Sequence, residues 1–540
     1  MRQIDEDSTV AGSTWSPLRS RLFAILLLTS LFAQLAVFMN GLASAWVLTD
    51  ITDSPAVVAS LQIALALPAF LLALVAGALS DIVSRKRIIV FAQTGSTIVA
   101  GAFAVLSATD GHTSATVLGL TAALGALTAL AAPAWIAIIP GLVPRLELAG
   151  AMTLSSAGMS AAMAVGPAVA GFIIAAAGPT AVFVLNVVVF GGGLVALRVW
   201  KPESRPGLPA EHLGSAIRVG LQYLRYDQSL KVVIGKVIPF ALAGTALIAL
   251  LPLVARFRLG AGPGLFGLLS GAGGVGAVLA LLAMPWIRRR IDPDVVISAA
   301  MAIEAGVFIV LATTTSAAVA FAVLIVAGAA TLALVSTVMT VLQIVLPAWV
   351  RGRGIAVYLL ALQGSFAFGA LLWGSVAEQT SLATALTAAG VVMAAGAVLV
   401  LPFRLSRYLH LDTDTVKLMP DPPTVTSVHD DDGPILLSAE WQIDPERRDQ
   451  FIAAMEPVRI ALKRQGALSF HLVEEVNRPG HMLESFTVAT WAEYQRLPER
   501  VTMTEKAIHD ALMAASGSEP PALLVHREIN LKTRQTKEKV

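Results

Sequence analysis

Twelve long apolar runs occupy the chain between residues 22 and 401: 22–48, 56–79, 88–108, 115–139, 152–177, 180–199, 232–254, 265–287, 295–312, 317–346, 354–377 and 382–401. A run of roughly 20 apolar residues spans a hydrocarbon core as a helix. In lipid only helices and closed barrels satisfy every backbone hydrogen bond. These runs are continuous and do not alternate with period two, which predicts helices over a barrel. Composition agrees: 56% of the 540 residues are hydrophobic and 14% charged, whereas a soluble domain carries roughly a quarter charged residues. The expected fold is an all-α polytopic membrane protein of twelve transmembrane helices in two six-helix halves, plus a C-terminal α+β domain.

Charge between the runs predicts orientation. Arg19, Arg21, Arg85, Lys86, Arg87, Arg145, the central basic residues from Arg198 to Lys231, Arg288, Arg289, Arg290, Arg351, Arg353, Arg404 and Arg407 all fall on one side if the spans number twelve. The opposite loops are short and carry Asp50, Asp53, Asp110 and Glu378, with Arg256 and Arg258 as basic exceptions. The excess of Lys and Arg in cytoplasmic loops then places both termini in the cytoplasm. The expected organisation is a cytoplasmic tail at 1–21, a first half at 22–199 and a linker at 200–231. A second half at 232–403, a linker at 404–434, an α+β domain at 435–530 and a tail at 531–540 follow. Residues 214–226 read either as an amphipathic helix on the inner membrane face or as a solvated connector. The polar N-terminus and the length of the first run argue against a cleavable signal peptide.

Several chemistries are excluded at this level. The chain has no cysteine, so disulfides, thiolate metal sites and iron–sulfur clusters are ruled out. It carries no G-x-x-x-x-G-K-[ST] loop, which argues against direct ATP drive. No cofactor, metal or nucleic-acid partner is expected. The net charge of +2 averages a nearly charge-free membrane part and an ordinary soluble part.

The loop after the second run reads Gly77-Ala-Leu-Ser-Asp81-Ile-Val-Ser-Arg85-Lys86-Arg87. Gly77 permits close helix contact, and Asp81 at a helix end can pair with basic groups or a neighbouring helix terminus. This spacing resembles the motif between helices 2 and 3 of the major facilitator superfamily, which implies a gate on the cytoplasmic side. The plainer reading is that Arg85, Lys86 and Arg87 only obey the charge rule. Aligning Arg85 with Arg288 places Ala280 opposite Gly77 and Met284 opposite Asp81, so the second half repeats the basic charge without the acid.

The fifth run contains Gly166-Pro167-Ala-Val-Ala170-Gly171. Pro167 removes one backbone donor and bends the helix, and the flanking glycines permit tight packing. The segment resembles the superfamily's helix 5 antiporter motif, with Ala162 and Ala170 in place of two of its glycines, and this implies export rather than import. The fourth run lacks the arginine of many drug–proton antiporters in that superfamily. Glu304 is the one acid placed deep in a span, and an intramembrane carboxylate is a functional hypothesis by default. It reads as a proton or substrate site, or as a hydrogen-bonded structural acid. Helices 1, 4, 7 and 10 line the cavity in the superfamily, so the resemblance favours Gln34, Asn40, Trp135 and Gln343 as wall residues. Gln62, Gln93, Asn186 and Gln363 are further polar residues within spans.

Stretches at 48–87, 132–158 and 346–378 narrow the resemblance to the branch holding the enterobactin exporter and the transmembrane secretion effectors. That implies a secondary-active exporter of the bacterial inner (plasma) membrane, moving siderophores, drugs or related amphiphiles by alternating access with proton coupling. The alternatives are an importer of the same superfamily and a membrane-tethered monooxygenase-like enzyme; a transporter that is not an enzyme is the expectation.

Beyond the Pro- and Asp-rich linker the periodicity changes. Strands are expected at 435–443, 467–475, 482–491 and 522–529, with helices at 445–465 and within 492–515. This β-α-β-β-α-β order predicts a ferredoxin-like domain. It resembles the antibiotic-biosynthesis-monooxygenase modules, which implies dimerisation through sheets. His471, His481, His509 and His526 are scattered, and a binding, regulatory or dimerising role is expected over catalysis.

Overall fold

In a computed structural model the residues described are 15–200, 222–223, 225–347, 349–410, 412, 416, 429, 432–517, 521 and 523–527. The side chains of 73–75, 77–78, 80–82, 145 and 149 lie outside that set. The proposed amphipathic helix at 214–226, both tails and most of the second linker therefore fall largely or wholly outside the described residues. The chain forms two compact units. One comprises Met1–Ala210, Ile234–Met339 and Tyr358–Arg404, and the other Glu211–Val233, Thr340–Val357 and Leu405–Val540.

Among the described residues, eleven helices are long and apolar enough to cross a membrane. They are α1 (Arg21–Ile51), α2 (Pro55–Ile82), α3 (Arg85–Ala108), α4 (Ser114–Ile138), α5 (Leu148–Val199), α6 (Gln228–Leu253), α7 (Pro263–Arg290), α8 (Pro293–Thr313), α9 (Ala317–Val345), α10 (Arg351–Gln379) and α11 (Leu382–Leu399). Local chemistry sets their starts. Ser20, Ser54, Thr113 and Ser381 accept from backbone amides of the first turn, and Asp292 does so ahead of Pro293.

The fifth and sixth apolar runs fall within one assigned helix of 52 residues, α5. It is broken at Gly178, whose φ of +77° is a left-handed conformation that glycine adopts without strain. Next to the break, Thr180 shares a hydrogen bond of 2.7 Å with Ser107 at the end of α3. At the far end, the Trp200 carbonyl accepts from Lys86 at the start of α3. Ala151, near the start of α5, packs with Phe23, Ile139 and Val143.

Small residues set the helix spacing. Ideal Cβ atoms on Gly276 and Gly328 would lie 1.8 Å from the carbonyl oxygens of Ile325 and Gly273, so α7 and α9 meet backbone to backbone. A buried ion pair ties three helices of the second half. The Lys236 ammonium, 1% exposed, sits 2.8 Å from the Asp294 carboxylate and donates to the Val400 carbonyl at 3.1 Å.

The second unit contains a four-stranded antiparallel sheet, β1 (Ile435–Gln442), β2 (Ser469–Glu474), β3 (His481–Val488) and β4 (Leu523–Arg527), in the order β2-β3-β1-β4. Helices α12 (Arg448–Gln465), α13 (Trp491–Arg496) and α14 (Met503–Ser516) alternate with the strands. Alternation along β1 and β3 turns Ile435, Leu437, Trp441, Met482, Phe486 and Val488 into two buried clusters with Phe451, Leu462 and Leu512. Trp441 and Trp491 are core residues. The histidines do not converge, and the described residues contain no group of metal-binding side chains.

A polar network in this unit joins sheet-domain residues to the segments that lead into α6 and α10. Arg464 pairs with Glu505 at 2.6 Å and Asp227 at 3.4 Å. Asp227 also accepts from the Leu230 amide at 2.8 Å, capping the first turn of α6. Gln222 donates to the Ala467 carbonyl at 2.6 Å. The Arg500 guanidinium lies 5.0 Å over the Trp349 ring, between α9 and α10, and Tyr223 meets the same ring edge-on at 5.9 Å. This network places 222–233 and 340–357 in the compact unit that holds the α+β domain, where the sequence pattern divides them between a linker and the second half.

One buried acid makes this domain sensitive to pH. Glu484 is 8% exposed and accepts from the Trp441 indole at 2.9 Å. Burial pushes its carboxyl above the ordinary glutamate range, opposed by the indole hydrogen bond. The folded domain thus retains a proton that the unfolded chain loses near pH 4.3 (about the free-glutamate value). Its stabilising contribution is full below that pH and is lost as pH rises through the raised folded value. Hydrogen exchange of the β1 and β3 amides in the full-length protein should therefore speed up across that window. Glu484→Gln should flatten the profile; an unchanged slope in the variant would reject the assignment.

Candidate translocation cavity

The first unit encloses a cavity of about 780 Å³. Its wall is drawn from α1 between Phe23 and Val37, α3 at 92–96, α4 and the following turn at 127–142, α5 at 152–159 and Phe190, and α9 at 335–339. Each of the α1, α4 and α9 stretches lies in the half of its helix nearer the loops that carry Arg85 to Arg87 and Arg288 to Arg290. The cavity therefore occupies the basic-loop end of the bundle.

Gln34 and Trp135, read from the sequence as wall residues, line this cavity. Asn40 and Gln343 do not. Asn40 is buried and donates to Ser44 at 3.3 Å within α1, and Gln343 is exposed beyond the α9 wall segment. The wall also holds Gln93, Ser96, Ser155, Met152, Met159 and Met339. Gln93 donates to the Phe190 carbonyl at 3.3 Å, which fixes its amide and leaves its oxygen as an acceptor. No periodic signal separates these residues from polar groups that only bridge helices.

Basic residues at the cavity end cap helices. Arg85 donates to the Ala137 carbonyl in the last turn of α4 at 2.7 Å, and Lys86 to the Trp200 carbonyl. Both place positive charge at a helix C-terminus, where the backbone dipole favours it. On the other half Arg288 donates to Ser336 within α9, to its carbonyl at 3.3 Å and to its hydroxyl. Ser336 is itself a wall residue. Arg87 is exposed, and the side chain of Asp81 and the surroundings of Gly77 lie outside the described residues.

At the opposite end the two halves touch. Arg256 pairs with Asp50, donates to Thr49 at 3.1 Å and lies 5.6 Å over the Trp46 ring. Trp46 stacks on Phe266 of α7 at 5.9 Å. Glu378 at the end of α10 accepts from the Ser54 hydroxyl at 2.8 Å and the Ala56 amide at 3.2 Å at the start of α2. Arg256 and Glu378, which the charge pattern treats only as loop charges, are thus contacts between halves. The helix 5 residues contribute as well. A Cβ on Gly171 would lie 2.6 Å from the Gly267 Cα, and one on Gly267 would lie 2.8 Å from the Pro167 carbonyl oxygen. Gly166 faces α1 instead, 2.9 Å from the Phe38 Cβ on the same measure.

Glu304 is 3% exposed in the middle of α8. Its carboxylate accepts from the Thr331 hydroxyl at 2.6 Å and lies off the cavity wall.

The family model for transmembrane secretion effectors matches residues 12–536. No curated protein sequence matches the chain significantly. Solved transporters share the fold. A bacterial homologue of the human lysosomal transporter Spinster, inward-facing and unoccupied, is 15% identical over 74% of this chain and 97% of its own, with a TM-score of 0.53. The nucleoside transporter NupG is 13% identical over 72% and 99%, with a TM-score of 0.57. A POT family transporter in complex with 5-aminolevulinic acid is 11% identical over 72% and 96%, also at 0.57. Family and fold together mark a transporter rather than an enzyme. The chain belongs to the transmembrane secretion effector family and is a multi-pass membrane transporter of the major-facilitator type.

Proposed function

We propose that the protein exports amphiphilic small molecules, drugs and siderophores among the candidates, from the bacterial cytosol by alternating access. The observation that carries this reading is the asymmetry of the first unit. A cavity occupies the end with the basic loops, and the other end is sealed by Arg256–Asp50, Glu378–Ser54 and the Gly171–Gly267 approach. With basic loops cytoplasmic, this is a state loaded from the cytosol. The reversal at Gly178 lets α5 cross twice, which supports twelve crossings and two cytoplasmic termini. Glu304, buried beside Thr331, is the residue we assign to proton coupling, and the Asp81 motif to the cytoplasmic gate. The sheet order β2-β3-β1-β4 supports a ferredoxin-like domain, which we assign a regulatory or dimerising role.

Reconstituted protein should move a fluorescent amphiphile such as N-phenyl-naphthylamine in one direction, faster with a pH gradient than without. Absence of directional flux would reject export. Asp81→Asn should slow turnover severalfold at unchanged abundance, and Glu304→Gln should remove the pH-gradient effect while binding persists. Unaltered flux in the first variant would remove the gate assignment, and a retained gradient effect in the second would remove the coupling one.

A further inference from the structure

The cavity wall holds no charged side chain among the described residues. Its polar groups are hydroxyls and amides. Ser30 and Thr128 spend their hydroxyl protons on carbonyls of their own helices, at 2.9 Å each. The amide of Gln34 and the hydroxyls of Ser96 and Ser155 have no hydrogen-bond partner among the described residues and border the open volume. Around them stand the Trp135 ring and the thioethers of Met152, Met159 and Met339. Among the described residues, two cations near this end already have hydrogen-bond partners: Arg85 donates to the Ala137 carbonyl, and Arg288 to Ser336, itself a wall residue.

From this arrangement we infer that the cavity selects an electrically neutral amphiphile: a flat apolar body with hydrogen-bonding groups but no net charge where it sits. An ion entering this volume leaves water and meets no counter-charge on the wall among the described residues, a loss that hydroxyls and amides only partly offset. A neutral scaffold gives up apolar hydration, packs against an aromatic face and polarizable sulfurs, and meets unengaged donors and acceptors in Gln34, Ser96 and Ser155. This inference rests on the transport reading only in taking the cavity as the substrate chamber. It narrows that reading, since compounds that are multiply charged at cytosolic pH fall outside the selected class.

A matched dye pair tests it. N-phenyl-naphthylamine is neutral at pH 7, and anilinonaphthalene sulfonate adds one sulfonate to the same skeleton. Binding is measured by dye fluorescence to the full chain in lipid nanodiscs, with empty nanodiscs subtracted. The neutral dye should bind saturably and about tenfold or more tighter than the sulfonate, and Trp135→Ala should abolish most of the difference from empty discs. Gln34→Lys supplies a counter-charge and should bring the sulfonate close to the neutral dye. Sulfonate binding in the unmodified protein that equals or exceeds neutral binding, and that falls in Trp135→Ala, overturns the inference. So does the absence of any Trp135-dependent binding of either dye. If the neutral dye binds as expected but no flux occurs in proteoliposomes, the cavity chemistry stands and the export reading fails. If flux favours the sulfonate, export stands and neutrality fails.

Discussion

Replacing Gly267 by valine should reduce flux by about tenfold while leaving the protein folded and abundant. A Cβ at this position would lie 2.7 Å from the Gly171 Cα and 2.8 Å from the Pro167 carbonyl oxygen. Both obstacles are backbone, so no rotamer change relieves them, and α5 and α7 must separate. Overpacking of this kind costs about 1–3 kcal/mol. Under alternating access that cost falls on the state in which the halves touch at this end and is absent when they part. A population shift of about 1.4 kcal/mol is tenfold. The chain has no cysteine, so Ala45→Cys, 6% exposed near the sealed end, is a clean reporter. Valine at Gly267 should raise its labelling by an impermeant maleimide while flux falls, and Gly171→Val should do the same. Slow flux with unchanged labelling would mean that the contact is ordinary packing and not a gate.

The parts of this structure that were readable from sequence are those set by continuous local signals. The spans follow from unbroken apolar runs; the capping side chains of Ser20, Ser54, Thr113 and Asp292, which fix where the helices begin, are seen in the structure. The turn at Gly178–Pro179 is equally local. The alternation of strands and helices after residue 435 is legible because apolar spacing changes from continuous to periodic. What stays hidden is the partner of each polar group. Gln34 and Asn40 sit six residues apart in one apolar helix, yet one faces the cavity and the other bonds to Ser44. Arg256 reads as an exception to the loop-charge pattern because its reason, Asp50, lies on the other half. The Glu484 carboxyl belongs to a strand whose alternation is plain, but which face is covered depends on α12 and α14. Apart from the Asn40–Ser44 bond, which is internal to α1, these are decided by tertiary packing, which a single helix or strand does not encode.

Lys236 belongs to that hidden class and carries the largest expected stability effect. It is a single cation in an apolar run, and its partner Asp294 opens a helix two spans later. Asp294→Asn would leave an ammonium at 1% exposure with the Val400 carbonyl at 3.1 Å and no carboxylate opposite it. Breaking a buried pair on one side costs about 3–5 kcal/mol, whereas replacing both partners by apolar groups of similar volume is often near neutral. The single variant should therefore unfold at markedly lower temperature in detergent, and Lys236→Met with Asp294→Leu should recover most of the loss. The cycle separates electrostatics from shape. If the double variant is as unstable as the single one, the helix ends are held by packing that the apolar pair disrupts. If Asp294→Asn costs nothing, the ion pair does not stabilise the junction of α6, α8 and α11 at all. Recovery in the double variant, with Gly267→Val still blocking flux, would assign these two contacts different work: the ion pair fixes the second half as a body, and the glycine contact governs its movement against the first.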